Sequence, residues 1–353
     1  MSVRHEQHRP QTRTWVNFRR DQSGIASFMV TLVMMLVITL VVIGFAQIAR
    51  RNQREALDNQ LSTQAFYAAE TGVNLVSSLM QTQPDVNSLK KTACPAQAPP
   101  YNAQLNDTVT AVANSCLLVD TAPSSLVYDD IGTDSTVVPV RSSTGTGSGT
   151  LELTWSPQSA QTDDKLSNCP NLSSYGTFPA SSNWSAHCPF GVLRFDMVDV
   201  SAAGSLTAEN LEGQTITVFA PPTSSHNALV RQEGTFSPGL SAVTCSGEGP
   251  AASCSLTIQN VNFSHTYYLR VTSLYKHVRL HVTGTAGGNE VHFINAQILV
   301  DSTGKAVDVL RRVQVRLDQN SQMAPANAIQ AQSGICKLYT STGSGTTDLT
   351  GCP

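Results

Sequence analysis

Residues 25–46 read IASFMVTLVMMLVITLVVIGFA, 22 positions without a formal charge. A helix needs about 20 apolar residues to cross the ~30 Å hydrocarbon core of a bilayer. A cleaved secretory signal has an apolar region of only ~7–15 residues with a small-x-small site behind it. This run is longer, and no cleavage loop follows it. The stretch therefore predicts a membrane-spanning helix. It also sets the fold, because everything after it must begin from the end of a rigid rod.

The flanks give the orientation. Ahead of the run lie Arg4, Arg9, Arg13, Arg19 and Arg20 against Glu6 and Asp21. Behind it Arg50, Arg51 and Arg54 are matched by Glu55, Asp58 and Glu70. The excess of arginine on the N-terminal side favours a cytoplasmic N-terminus. Cysteine usage agrees. Cys94, Cys116, Cys169, Cys188, Cys245, Cys254, Cys336 and Cys352 all follow the apolar run and none precedes it. An even number of cysteines on one side fits a disulfide-bearing body in an oxidising compartment. Pairing each with its nearest neighbour gives Cys94–Cys116, Cys169–Cys188, Cys245–Cys254 and Cys336–Cys352, one of about 105 full connectivities.

Composition narrows the function classes. Charged residues make up 13% of the chain and the net charge is −3, against about 25% charged in an ordinary globular protein. Nucleic-acid binding needs clustered Lys and Arg, so no direct nucleic-acid contact is expected. A multi-span membrane protein is excluded because only one stretch is both long and apolar.

The helix pattern does not stop at the membrane. Leu57, Leu61, Ala65, Ala68, Gly72, Val76 and Leu79 step by threes and fours, an apolar stripe with a period near 3.6. Asn52, Glu55, Asn59, Ser62, Thr63 and Glu70 lie opposite, with Phe66 the apolar exception there. The pattern predicts a helix over 25–80, apolar over 25–46 and amphipathic over 47–80, about 84 Å long at 1.5 Å per residue. Ala65, Ala68, Ala69 and Gly72 are small enough for close backbone approach. Two readings of that face stand: it packs on the chain's own sheet, or it packs on copies of the helix. Glu70 is read either as orienting subunits or as a solvated stalk residue.

Four features occur in order: Gln22-Ser23-Gly24-Ile25-Ala26, the apolar run, the Arg50–Arg51 pair, and Gln64-Ala65-Phe66-Tyr67-Ala68-Ala69-Glu70-Thr71-Gly72. Together they resemble the N-terminal segment of PilX-type minor pilins, within the type IV pilin and pseudopilin family. The resemblance implies a basic leader over 1–24, cut after Gly24 by a prepilin peptidase so that Ile25 becomes the N-terminus. It implies a pilin-like α+β fold, a long N-terminal helix packed on an antiparallel β-sheet head. It also implies partners: other pilin subunits, an assembly platform protein and its ATPase, membrane lipid, and an external surface ligand for the head. Met29 stands at mature position five, where major pilins carry a Glu thought to pair with a neighbour's amino terminus. The missing Glu suggests a minor or tip-located subunit, and leaves open a chain that never polymerises.

The body reads as β-structure. Residues 81–150 are expected as a loop-rich insertion and linker, 151–320 as the β-rich extracellular head, and 321–353 as a polar tail closed by Cys336–Cys352. Alternating runs at 151–155, 192–198, 215–219, 255–259, 267–272 and 277–282 predict strands. Runs at 290–300 and 306–317 flank Asp301-Ser302-Thr303-Gly304-Lys305, which reads as a hairpin loop.

No catalytic chemistry is found. There is no nucleophile elbow, no His-Glu-x-x-His and no Walker loop. Gly145, Gly147 and Gly149 read as a Ser/Thr-rich linker rather than a dinucleotide loop, because no helix pattern follows. The cysteines lack structural zinc spacing, so neither a metal nor a cofactor is expected. His277, Arg279 and His281 alternate on one strand face and read as polar surface. The chain is expected to be a non-enzymatic filament subunit. The rival readings are an anchored receptor or adhesin that never assembles, and an anchored enzyme.

Overall fold

The computed structural model describes residues 23–83, 85–94, 106–107, 111–143, 147–170, 178–224, 226–232 and 234–319. The Cys336–Cys352 pairing, residues 1–22 of the leader and the tail over 321–353 lie outside the described residues. The chain divides into two units, residues 1–63 and 64–353.

The first unit holds most of α1 (Ser23–Thr82), an uninterrupted helix of 60 residues. No proline interrupts it, and Pro84 follows its last turn; proline has no N–H to continue the ladder and disfavours helix before it. From residue 27 to residue 60 every position is exposed.

In the second unit the strands run in chain order as follows. The first are β1 (Asn106–Asp107), β2 (Val112–Asp120), β3 (Ser125–Ile131), β4 (Thr136–Val140) and β5 (Ser148–Pro157). Next come β6 (Val192–Asp199), the short helix α2 (Ala208–Gly213), β7 (Thr215–Ala220), β8 (His226–Asn227), β9 (Leu229–Gln232), β10 (Gly239–Leu240) and β11 (Ala242–Ser246). The last are β12 (Ser253–Asn262), β13 (Tyr267–Leu274), β14 (Val278–Ala286), β15 (Asn289–Glu290), β16 (Gln297–Ala306) and β17 (Val309–Asp318). Each run expected between 151 and 282 coincides with one of these strands, the run at 277–282 beginning one residue ahead of β14.

They form three antiparallel sheets. One is ordered β1-β2-β16-β17. A second runs β15-β14-β5-β12-β11-β8, with β3 beside β14 and β10 beside β12. The third runs β4-β13-β6-β7-β9. The second and third face each other as a sandwich with one continuous core. Alternation makes this possible, since every second residue of a strand points to the same face. Across the second sheet Leu256, Leu153 and Val282 stand in register, and beside them Cys254, Trp155 and Leu280. Across the third, Val138, Leu269, Met197 and Ile216 form a matching row. All of these side chains are buried.

Among the described residues, three disulfides join nearest neighbours. Cys94 bonds Cys116, Cys169 bonds Cys188, and Cys245 bonds Cys254. The last two cysteines stand directly opposite each other on β11 and β12. Cys169–Cys188 ties down the loop after β5, where Trp184 stacks on Tyr275 at 4.2 Å and donates from its indole to the Phe190 carbonyl.

The stretch over 81–150 differs from its expected role as an insertion. It supplies β1 to β4 and opens β5, so both the helix-backed sheet and the sandwich depend on it. Its Ser, Asn and Asp residues hid strands that alternate too briefly to stand out. The last hairpin also differs. Residues 301–305 are not its loop but part of β16, and the turn is the pair Val307–Asp308, closed by Ala306 opposite Val309. Val307 adopts φ +56° there.

Candidate functional site

Residues 64–82 of α1 lie on the first sheet. Val73 and Val76 pack with Leu117 and Val119 of β2 and with Ile298 and Val300 of β16. Val313, Val315 and Leu317 of β17 extend the same face. The small residues set how close the helix comes. Ala65 and Ala69 are fully buried, and Ala68 and Gly72 are also buried. Opposite them is Gly304, where any Cβ would overlap the Ala65 carbonyl oxygen and the Ala69 amide nitrogen. A Cβ at Gly72 would in turn strike Ser302 and Asn114.

The seam is bonded as well as packed. The Ser302 hydroxyl donates to the Ala69 carbonyl at 2.6 Å. The Asn114 side-chain amide donates to Ser302 Oγ at 2.6 Å and to the Ala68 carbonyl at 3.3 Å. These carbonyls already accept within the helix and use their second lone pair here. Ser302 has no exposure, so its hydroxyl must be paired. Sequence reading placed Ser302 and Gly304 in a turn and missed both. A buried serine and glycine at alternate strand positions opposite small helix residues is the signal that could have found them.

The small-residue face is thus occupied by the chain's own sheet. The face of this segment left open carries Phe66 and Tyr67, 47% and 61% exposed, with ring centroids 5.9 Å apart in an edge-on contact. Glu70 is half-buried between the two faces.

In the N-terminal part of α1, Gly24 and Ile25 lie in the first turns of the helix. Met29 is 61% exposed. The helix is long and apolar enough to cross a membrane, with a mean hydropathy of 2.8 over its most apolar window and none of that window buried. The hydroxyls of Thr31 and Thr39 donate to the Phe28 and Leu36 carbonyls. The two side chains therefore make their hydrogen bonds within the helix, as a lipid environment demands. Arg51 Nε pairs with Glu55 one turn on, at 3.2 Å.

Two of the remaining polar groups named from the sequence are paired. His277 and Arg279 reach across to Asp130 and Asp129 of β3 at 2.6 and 2.8 Å. Burial, together with the Arg316 cation, lowers the pKa of His281. Asp163, Asp164 and His187 bring possible ligand atoms within 4.8 Å of one another. His187 stands 3.5 Å from Asp164 and 3.9 Å from Asp163, in ion-pair positions. Asp164 also closes its own turn by accepting from the Gln161 amide.

No curated protein and no solved structure matches the chain significantly. Residues 23–74 match the family model described as PilX N-terminal, a match that runs from the first residue of the long helix through its small-residue seam.

Proposed function

We propose that this chain is a minor subunit of a type IV pilus or related filament. The observation that carries the reading is the match over 23–74, which joins a membrane-length apolar helix to the seam that seats it on a β-rich head. In this reading a prepilin peptidase cuts after Gly24, and Ile25 becomes the mature N-terminus. The apolar half of α1 first resides in the membrane with its N-terminus cytoplasmic, then leaves lipid for a filament core. A platform protein and an ATPase supply the work of extraction, and the chain itself catalyses no reaction. The head faces the oxidising side, consistent with three disulfides.

The seam refines where neighbours attach. Ala65, Ala68, Ala69 and Gly72 are spent on the chain's own sheet, so helix contacts between subunits fall to the open face with Phe66 and Tyr67. Met29 offers no carboxylate at mature position five, which suits a subunit at the tip with no neighbour above it.

The test is the N-terminal residue of the mature protein, read by mass spectrometry of the cell-surface fraction. A chain starting at Ile25 is expected. A chain retaining Arg19, Arg20 and Gly24 would shift the reading to an anchored receptor or adhesin that never assembles. Met29 is the observation that favours this second reading, since it removes the pairing that register in a filament relies on.

A further inference from the structure

The four-stranded sheet that carries the end of α1 finishes on β17, which has β16 on one side and no described strand on the other. β17 is ten residues long, with neither proline nor glycine, and its ten pairs with β16 run without a bulge. Sheet edges in natural proteins are kept short, bulged, broken by proline, covered or charged. Among the described residues β17 shows the charge alone, over about 33 Å at ~3.3 Å per residue.

The register tells which backbone groups point outward. Ala306 and Val309 flank the two-residue turn, and the residues beside such a turn bond each other. At the other end the Gln319 amide donates to the Ala296 carbonyl at 2.9 Å. Both ends put the odd-numbered residues of β17 in bonding phase with β16. The N–H and C=O groups of Leu310, Arg312, Gln314, Arg316 and Asp318 therefore face away from the sheet. No described residue bonds any of these backbone groups.

The side chains along this row define what a further strand must carry. On the helix side Val313, Val315 and Leu317 are half-buried against the core, so part of each is left for a neighbour to cover. On the opposite side stand Arg312, Gln314 and Arg316, and Arg311 is exposed one residue before them. The Arg312 side chain is 68% exposed. It bonds Asp301 through Nε and Nη2, and its Nη1 bonds no described residue. Three arginines on the strand thus stand against one carboxylate, Asp318 at its end. Side chains directly across a strand pair attract when opposite in charge and repel when alike. The row therefore selects acidic residues beside Arg312 and Arg316, and aliphatic ones beside the valines.

We infer that the open edge of β17 docks an extended segment of another polypeptide in which aliphatic residues alternate with acidic ones. The segment adds a fifth strand to the sheet, and its backbone takes the outward N–H and C=O groups. Its aliphatic side chains continue the row of Val313, Val315 and Leu317, and its carboxylates meet Arg312 and Arg316. The inference does not depend on whether the chain is assembled into a filament.

The experiment is fluorescence anisotropy with the full chain in detergent micelles, at neutral pH and low salt. The probe is a fluorescein-labelled heptapeptide alternating valine and glutamate. Its controls carry lysine in place of glutamate, or a methyl group on every amide nitrogen. Saturable binding of the probe and of neither control is expected. Gln314→Pro removes one outward N–H that bonds nothing within the fold, and proline is tolerated at such edge positions. It should weaken binding at least tenfold while the melting temperature moves by only a few degrees. Gln314→Glu keeps the amide and sets like charges together, so it should weaken binding severalfold, and it carries the test if the proline variant folds poorly. No saturable binding, equal binding of the lysine peptide, or binding that neither variant weakens overturns the inference. Dimerisation of the chain that Gln314→Pro abolishes, without binding of the probe, makes the occupant a second copy and overturns the acidic strand.

Discussion

Two residues near the last hairpin show how neighbouring positions can carry opposite constraints. Gly304 has no special backbone angle, yet it cannot take a side chain, because the helix backbone lies against it. Gly304→Ala forces the helix off the sheet and should destabilise the head by about 1–3 kcal/mol, the usual range for overpacking. Val307 is the reverse case. It is 54% exposed at φ +56°, a conformation unfavourable for a β-branched residue. Val307→Gly relieves the strain, loses little burial, and should raise stability by about 1 kcal/mol. Chemical denaturation of both variants checks the pair, and the opposite signs are what matter. A sequence reader sees a glycine in Asp301–Lys305 and assigns the turn to it. The structure puts the glycine where space is short and the valine where the chain turns.

At the scale of elements, α1 is two things in one run of hydrogen bonds. Its first part is exposed and apolar, and its last part has one face seated on a sheet. The period-3.6 stripe gave the seated face correctly from Ala65 onward, while Leu57, in the same stripe, is 58% exposed. A stripe announces that a helix can be covered, and a partner has to be there to cover it. The open aromatic pair on the other face allows a clean separation of stability from assembly. Phe66→Ser with Tyr67→Ser removes mostly solvent-facing surface, so the melting temperature should change by no more than a few degrees. Recovery of the chain in sheared surface filaments should fall at least severalfold. Unchanged recovery would mean that this face makes no contact with neighbours.

For the whole molecule, charged groups of β3 and β17 line one cleft between the sandwich and the helix-backed sheet. His281 has its pKa lowered from 6.5 by burial and by Arg316. As pH falls, the unfolded chain takes up this proton first. The group's contribution is complete above 6.5 and is lost as pH drops from there toward the folded value. Asp318 has its pKa raised from 3.8 by burial, partly offset by the bond from Gln297. As pH rises past 3.8 the unfolded chain ionises first, so this carboxylate costs stability through to neutral pH. Thermal melts across pH 3–8 check both signs. His281→Gln should flatten the loss of stability just below pH 6.5. Asp318→Asn should raise the melting temperature at pH 7, with the gain vanishing below pH 3.8.

The sequence by itself determined the membrane-length helix, its amphipathic continuation, the alternating strands between 151 and 282 and the nearest-neighbour disulfides at Cys94–Cys116, Cys169–Cys188 and Cys245–Cys254. These are readable because hydrophobic period and chain proximity are local quantities. Only the tertiary structure decided that 81–150 supplies strands, that the small-residue face is spent on the chain's own sheet, and that Ser302, Asn114 and Gly304 hold the seam. It also decided that Tyr128 and Asp318, far apart in the chain, line one cleft. Those facts depend on which surfaces meet across more than a hundred residues. That outcome is set by packing and by pairing every buried polar group, neither of which leaves a periodic trace in the sequence.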